Sequence, residues 1–283
     1  MKISLVPQQR GISLIELLVA LAISSFLLLG ISQIYLDNQR NHLFQQSQST
    51  NSEGSRFVAL MLNDYLGKAG YRRDPAQLLE DAFPEVSANS DCEAFAKGAV
   101  IAPTRNSLGI CLRYQPLVSG EPDCQGDDSK AFDDSKPFKA PPESALITLA
   151  LNYTPATELH QGLLECKNLN AKSPGSMELL AGIADMRLEF GLGSKDMFEK
   201  KLTEDSGRFI DASAWTINSG PIRAVRYSIL LASREEQRDG ESAIFDAWLD
   251  KADTTSKARL TAEDKNRIYQ VASSTQTIRN LMP

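Results

Sequence analysis

Only two histidines, His42 and His160, occur in the 283 residues, so any imidazole-based catalysis would have to use one of them. His42 follows a hydrophobic segment within polar, helix-compatible sequence, and His160 lies in a stretch that reads as a turn. Both read as surface residues. No G-x-S-x-G, H-E-x-x-H or Cys-His arrangement is present. The 36 carboxylates leave a paired-acid glycosidase open on composition alone. The densest group is Glu121, Asp123, Asp127, Asp128, Asp133 and Asp134, within residues 120–142. Carboxylates suit calcium, but the spacing is not that of a D-x-[DN]-x-[DN]-G loop. The segment reads as a solvated loop, and neither a metal nor a cofactor is expected.

A formal net charge of −6 argues against sequence-independent nucleic-acid binding, which requires a basic surface. The one compact basic cluster, Lys68, Arg72 and Arg73, is too small to carry such a function.

The four cysteines, Cys92, Cys111, Cys124 and Cys166, form no C-x-x-C pair, which disfavours redox or zinc chemistry. An even count points to disulfides if the domain is exported, and four cysteines allow three pairings. A hairpin turning near Asn106 would bring Cys92 toward Cys124 and leave Cys111 with Cys166. The other pairings stay open.

The N-terminus is more specific. Lys2 and Arg10 form a basic leader, Gly11 ends it, and residues 17–36 carry no formal charge. Those 20 residues match the length of about 20 needed to cross the hydrocarbon core as a helix. A conventional secretory signal has a shorter apolar core, roughly 7–15 residues, and a small-residue cleavage site after it. Here the apolar run passes without proline into polar sequence from Asp37 to Asn41. A plain signal anchor would leave Glu16 unexplained, because a carboxylate beside a membrane helix is costly without a partner.

The stretch from Gly11 through Glu16 to Leu21 resembles the class III signal of type IV prepilins and type II secretion pseudopilins. Those signals join a basic leader ending in Gly to a hydrophobic residue, Ser or Thr, and Glu at the fifth mature position. Ile12 stands where Phe, Met or Leu is more usual. The resemblance implies that a prepilin peptidase cuts between Gly11 and Ile12 and methylates the new Ile12 amine. It also implies that Glu16 pairs with the N-terminal amine of a neighbouring subunit. Loss of Lys2 and Arg10 would take the formal side-chain charge from −6 to −8.

Four further stretches are similar to PilW-type minor pilins. They are Arg56-Phe57-Val58-Ala59-Leu60 with Ala69-Gly70-Tyr71-Arg72, then residues 180–191, residues 225–233, and Thr277-Ile278-Arg279-Asn280. This implies a type IV pilin-like α+β fold, in which a long N-terminal helix packs on an antiparallel β-sheet with a large loop-rich insertion. It also implies a subunit in the inner membrane, with its domain in the periplasm, that later joins the pilus fibre. Expected partners are the prepilin peptidase, other minor pilins of the PilX, PilV, FimU and PilE types, the major pilin, a PilY-type tip adhesin and the inner membrane. The alternative within this resemblance is a J-type pseudopilin of a type II secretion system. Neither role requires enzymatic chemistry.

These residues need particular elements to position them. Residues 1–11 read as leader, 12–36 as the transmembrane and polymerisation half of a helix, 37–70 as its amphipathic half, and 71–283 as a β-rich domain. Phe57, Leu60, Met61 and Tyr65 recur at helical spacing, with Val58, Leu62 and Leu66 widening the face. Gly67 and Gly70 read as stop signals, and Gly30 and Gly54 as places where the helix could loosen. Residues 98–104 and 108–114 predict a hairpin, and 145–153 with 159–166 a second. Strands are expected over 183–190, 224–232 and 268–278, and residues 251–267 read as an exposed helix or loop.

Overall fold

The computed structural model describes residues 13–171, 175–193 and 209–281. Its contacts divide into two units, Met1–Gln46 and Ser47–Pro283.

The first long element, α1, spans Leu14–Lys68 and is a single helix of 55 residues. Gly30 and Gly54 sit inside it without a break, as does Gly67. It ends at Gly70, whose φ of +75° is the left-handed conformation that closes helices and that other residues adopt only under strain.

In the second unit the fold is α+β, with two antiparallel sheets in place of the one expected. The first is a meander of β1 (Ile101–Pro103), β2 (Gly109–Tyr114), β3 (Ile147–Thr154), β4 (Leu163–Asn168) and β5 (Met177–Ala181). The second has the order β7-β6-β8-β9, from β6 (Ile183–Leu192), β7 (Phe209–Asp211), β8 (Ile222–Ala232) and β9 (Tyr269–Thr277). Both expected hairpins form, as do the strands expected over 183–190, 224–232 and 268–278. The chain changes sheets at Gly182, with φ at +92°, where the β5 ladder stops and the β6 ladder begins. A single residue at a sharp bend carries no hydrophobic period, so the expected single sheet missed the switch.

Among the described residues three short α-helices complete the domain: α2 (Leu79–Ala82), α3 (Ala243–Leu249) and α4 (Thr254–Glu263). Residues 251–267 therefore hold a helix, but it is not wholly exposed. Leu260 is buried with Phe245 and Trp248 against Leu230 and Ala184 of the second sheet. Beneath them the buried Asp185 carboxylate accepts the Trp248 indole N–H at 2.8 Å and pairs with Arg259 at 3.1 Å. Burial pushes that carboxyl up, against the opposing pull of Trp248 and Arg259.

The main core joins both sheets to the end of α1. Val58, Leu62 and Leu66 lie with Leu112, Leu149, Leu151, Phe190, Tyr227 and Ile229 in one cluster. Three of these positions are four residues apart, the spacing that keeps side chains on one helix face. Met61 and Tyr65 flank the face, half-buried. Phe57 and Leu60, expected on it, are instead 49% and 72% exposed. The apolar residues of this segment surround so much of the helix that spacing alone could not separate the packed side from its flank.

The disulfides also differ from expectation. Cys92 bonds Cys111 and Cys124 bonds Cys166, with Cα separations of 6.0 and 6.2 Å. Residues before β1 do not extend the hairpin away from its turn. They fold back on β1, where Cys92 bridges Thr104 and the Glu93 N–H donates to the Pro103 carbonyl. That places Cys92 beside β2. Cys124 is carried to β4 by Asp123 and Gln125, which both bond Asn168.

Candidate functional site

α1 begins with a local cap. Ser13 precedes the first helical residue, and Glu16 stands three positions later. The Glu16 Oε2 accepts the Ser13 N–H at 3.0 Å, one half of the Ser-x-x-Glu capping box. A carboxylate there also suits the positive end of the helix dipole. The Ser-x-x-Glu spacing stood in the sequence as a cap signal, and the sequence reading assigned Glu16 to pairing alone. Gly11 and Ile12 lie outside the described residues.

Beyond the cap the helix is apolar on every side. Leu17, Leu21, Phe26, Leu29 and Ile31 are each more than half exposed. A contiguous apolar surface of this extent is not carried by a soluble monomer. Residues 17–36 rise about 30 Å as a helix, the thickness of a hydrocarbon core. The segment is long and apolar enough to cross a membrane.

From Ser47 onward polar side chains fasten the helix to the second sheet. Asn51 Nδ2 donates to the Ile268 carbonyl at 2.9 Å, and Gln270 Nε2 donates to Ser55 Oγ at 3.1 Å. The Tyr227 hydroxyl donates to Asn63 Oδ1 at 3.0 Å. At the helix end Asn280 Nδ2 reaches the carbonyls of Gly67 and Ala69, each at 3.0 Å. The last carbonyls of a helix have no partner within it, so this amide works as a cap delivered from the other end of the chain. Asn51 and Asn280 were missed as docking residues; the signal for Asn51 was a polar residue on the buried face of α1.

The remaining candidate residues are occupied locally. Glu121 pairs with Lys68 at 3.3 Å, Arg73 with Asp134 at 3.2 Å, and Arg72 bonds the Gln77 carbonyl. Asp123 accepts the backbone N–H groups of Gln125 and Asp127. Among the described residues no three His, Cys, Asp or Glu side chains converge on a metal-sized site. His42 is exposed, and His160 is half-buried in a short turn 4.0 Å from Glu158, where burial pushes its imidazole down.

Comparison with known proteins supplies the family. A family model described as "Prokaryotic N-terminal methylation motif" matches residues 7–32, which contain Gly11, Ile12 and the capped Glu16. A second, "Type IV Pilus-assembly protein W", matches residues 153–280, from the end of β3 to the Asn280 cap. The chain is a type IV pilin-like protein with a PilW-type domain. No curated protein matches it. Among solved structures, a type IV-like pilin, TTHA1219 from Thermus thermophilus, aligns over 82% of this chain and 97% of its own. The identity is 11% and the TM-score 0.37. In the PilW-type chain the matched segment includes β8 and β9, which bond α1 through Tyr227 and Gln270. The unmatched residues 33–152 include the helix's own docking face and three of the four cysteines.

Proposed function

We propose that this protein is a minor pilin that primes assembly of a type IV pilus, is incorporated at its tip, and so supports twitching motility and adhesion. The observation that carries this reading is the division of labour along α1. Residues 17–36 present uncharged apolar surface all round, while residues 47–68 present one face to a folded domain. A soluble protein has no use for the first half, and a simple anchor has no use for Glu16 at its entrance.

In this reading a prepilin peptidase cuts between Gly11 and Ile12 at the cytoplasmic side and methylates the Ile12 amine. Cleavage leaves α1 whole, so the same helix anchors the chain in the inner membrane and then packs among helices in the fibre. Glu16 holds the Ser13 N–H with Oε2. Its other oxygen takes the N-terminal amine of a neighbouring subunit, and the two charges offset each other where an unpaired carboxylate would cost several kcal/mol. The two disulfides fit a domain that matures in an oxidising compartment, the periplasm. Partners are the prepilin peptidase, other minor pilins, the major pilin and a PilY-type adhesin, and the role needs no catalysis.

The test is a deletion strain scored for surface pili, complemented by the wild-type gene, with co-purification of the other pilin-like subunits. Loss of pili restored by complementation is the expected result. Normal piliation together with a defect in protein secretion would overturn it in favour of a secretion pseudopilus.

A further inference from the structure

β9 closes one edge of the second sheet, and from Val271 to Thr277 its outer side shows, among the described residues, none of the charge, proline or bulge that normally keeps a sheet edge from pairing. Its ladder with β8 runs from Ala224↔Thr277 to Ala232↔Tyr269 without a bulge. From Ile268 to Ile278 there is no charged residue and no proline. Edge strands are ordinarily blunted by lysine, proline, bulges or a covering element, because an open row of backbone groups is a template for another strand.

The direction of those backbone groups follows from the ladder. The Ile278 N–H donates to the Arg223 carbonyl, and the Ser233 N–H donates to the Ile268 carbonyl. Bonded pairs recur at every second residue in an antiparallel ladder. Even-numbered residues from 268 to 278 therefore turn their amides toward β8, and odd-numbered ones turn them away. Tyr269 is stacked on Phe245 of α3. The next four, Val271, Ser273, Thr275 and Thr277, have exposed side chains. No backbone hydrogen bond among the described residues satisfies their outward N–H and C=O groups.

We propose that this edge is a docking site for an extended, uncharged strand of a different, co-assembled pilin-like chain, which adds to the second sheet beside β9. Four N–H and C=O pairs at strand spacing are complementary to a polypeptide backbone in β conformation and to little else. The uncharged side chains of the edge match an uncharged partner strand, since Arg226 of β8, which donates to Thr275 Oγ1 at 3.3 Å, is already paired with Glu189. Two copies of this chain joined through β9 by a two-fold axis would run their helix segments 47–68 in opposite directions. Chains anchored by the same end of the same helix in one membrane cannot pair so, and the choice of a different chain rests on the pilin reading above.

The experiment is hydrogen exchange, resolved to single amides, on the full chain in detergent, alone and after co-purification with the other pilin-like subunits. The expected result is at least tenfold slower exchange at Val271, Ser273, Thr275 and Thr277 in the complex, with the even-numbered amides already slow in both samples. Ser273→Pro removes one outward donor and leaves the β8 ladder its bonds, so it should lower co-purification at least tenfold while Ser273→Ala does not. A complex that forms with these four amides still exchanging freely would overturn the edge assignment and leave the pilin reading standing. Protection arising in the chain alone, rising with its concentration, would overturn the choice of a different chain. Failure of the wild-type chain to co-purify with any pilin-like subunit would overturn the pilin reading itself.

Discussion

The Asn51 side-chain amide donates to the backbone carbonyl of Ile268, 217 residues away in sequence, at 2.9 Å. The same carbonyl accepts the Ser233 N–H at 2.8 Å, so one oxygen joins α1, the end of β8 and the start of β9. Asn51 is buried, and its replacement removes one of two bonds to that oxygen. Asn51→Ala should lower stability by about 1 kcal/mol, the usual net value of one such bond, measured by denaturant unfolding of the full chain in detergent. A loss below about 0.3 kcal/mol would show that water replaces the amide there.

Leu62 and Leu60 test which face of α1 packs. Leu62 is 1% exposed and Leu60 is 72% exposed. Leu62→Ala should cost roughly 2–5 kcal/mol through lost burial and a residual cavity, and Leu60→Ala should stay within about 0.5 kcal/mol. Equal costs would reverse the assignment of the docking face.

The disulfides are checked by mass spectrometry of a non-reduced digest, which should yield Cys92 joined to Cys111 and Cys124 joined to Cys166. Replacing Cys92 and Cys111 together by Ala should lower stability by roughly 3 kcal/mol, the scale expected for loops of this length. A Cys92–Cys124 peptide would restore the pairing expected from the hairpin.

Asp253 caps α4, accepting the N–H groups of Thr255 and Ser256 at 2.9 and 3.1 Å. Hydrogen bonds from Ser256, outweighing burial, hold its carboxyl below the ordinary value. Its contribution is therefore fully present above about pH 4 and is lost as pH falls through the depressed native value. Asp253→Ala should cost about 1 kcal/mol at pH 7 and less at pH 2.5, read from urea midpoints at the two pH values. An equal cost at both pH values would show that the carboxylate charge is not involved.

Gly11→Phe should leave an unprocessed precursor in the membrane, whereas Glu16→Ala should be cut normally but enter fibres several-fold less. Intact-mass spectrometry reads both the cut and the methyl group on Ile12. Normal-size product from Gly11→Phe would sink the cleavage assignment, and full incorporation of Glu16→Ala would sink the pairing role.

Much of the scaffold was legible because it is periodic. The apolar run of residues 17–36 and the alternation in β3, β6, β8 and β9 each repeat a signal over several residues. What escaped was set by single residues or by distance along the chain. The switch of sheets at Gly182, the return of Cys92 onto β1 and the cap supplied by Asn280 leave no local period to read. The face of α1 was blurred for a different reason. Phe57 and Leu60 are apolar yet exposed, so hydrophobicity there does not report burial in the monomer. At the N-terminus one stretch serves two purposes, since the spacing from Gly11 to Glu16 reads as a signal and the Ser13-x-x-Glu16 spacing within it reads equally as a cap.

The bonds from Ile268 and Asn280 to α1 also impose an order of events during synthesis. The helix segment carrying Asn51, Val58 and Leu62 leaves the ribosome early, and the strand that covers it emerges more than 200 residues later. At about 5–20 residues per second the wait between Asn51 and Ile268 is roughly 10 to 40 s. Through that interval the inner face of the helix has no completed second sheet to rest on.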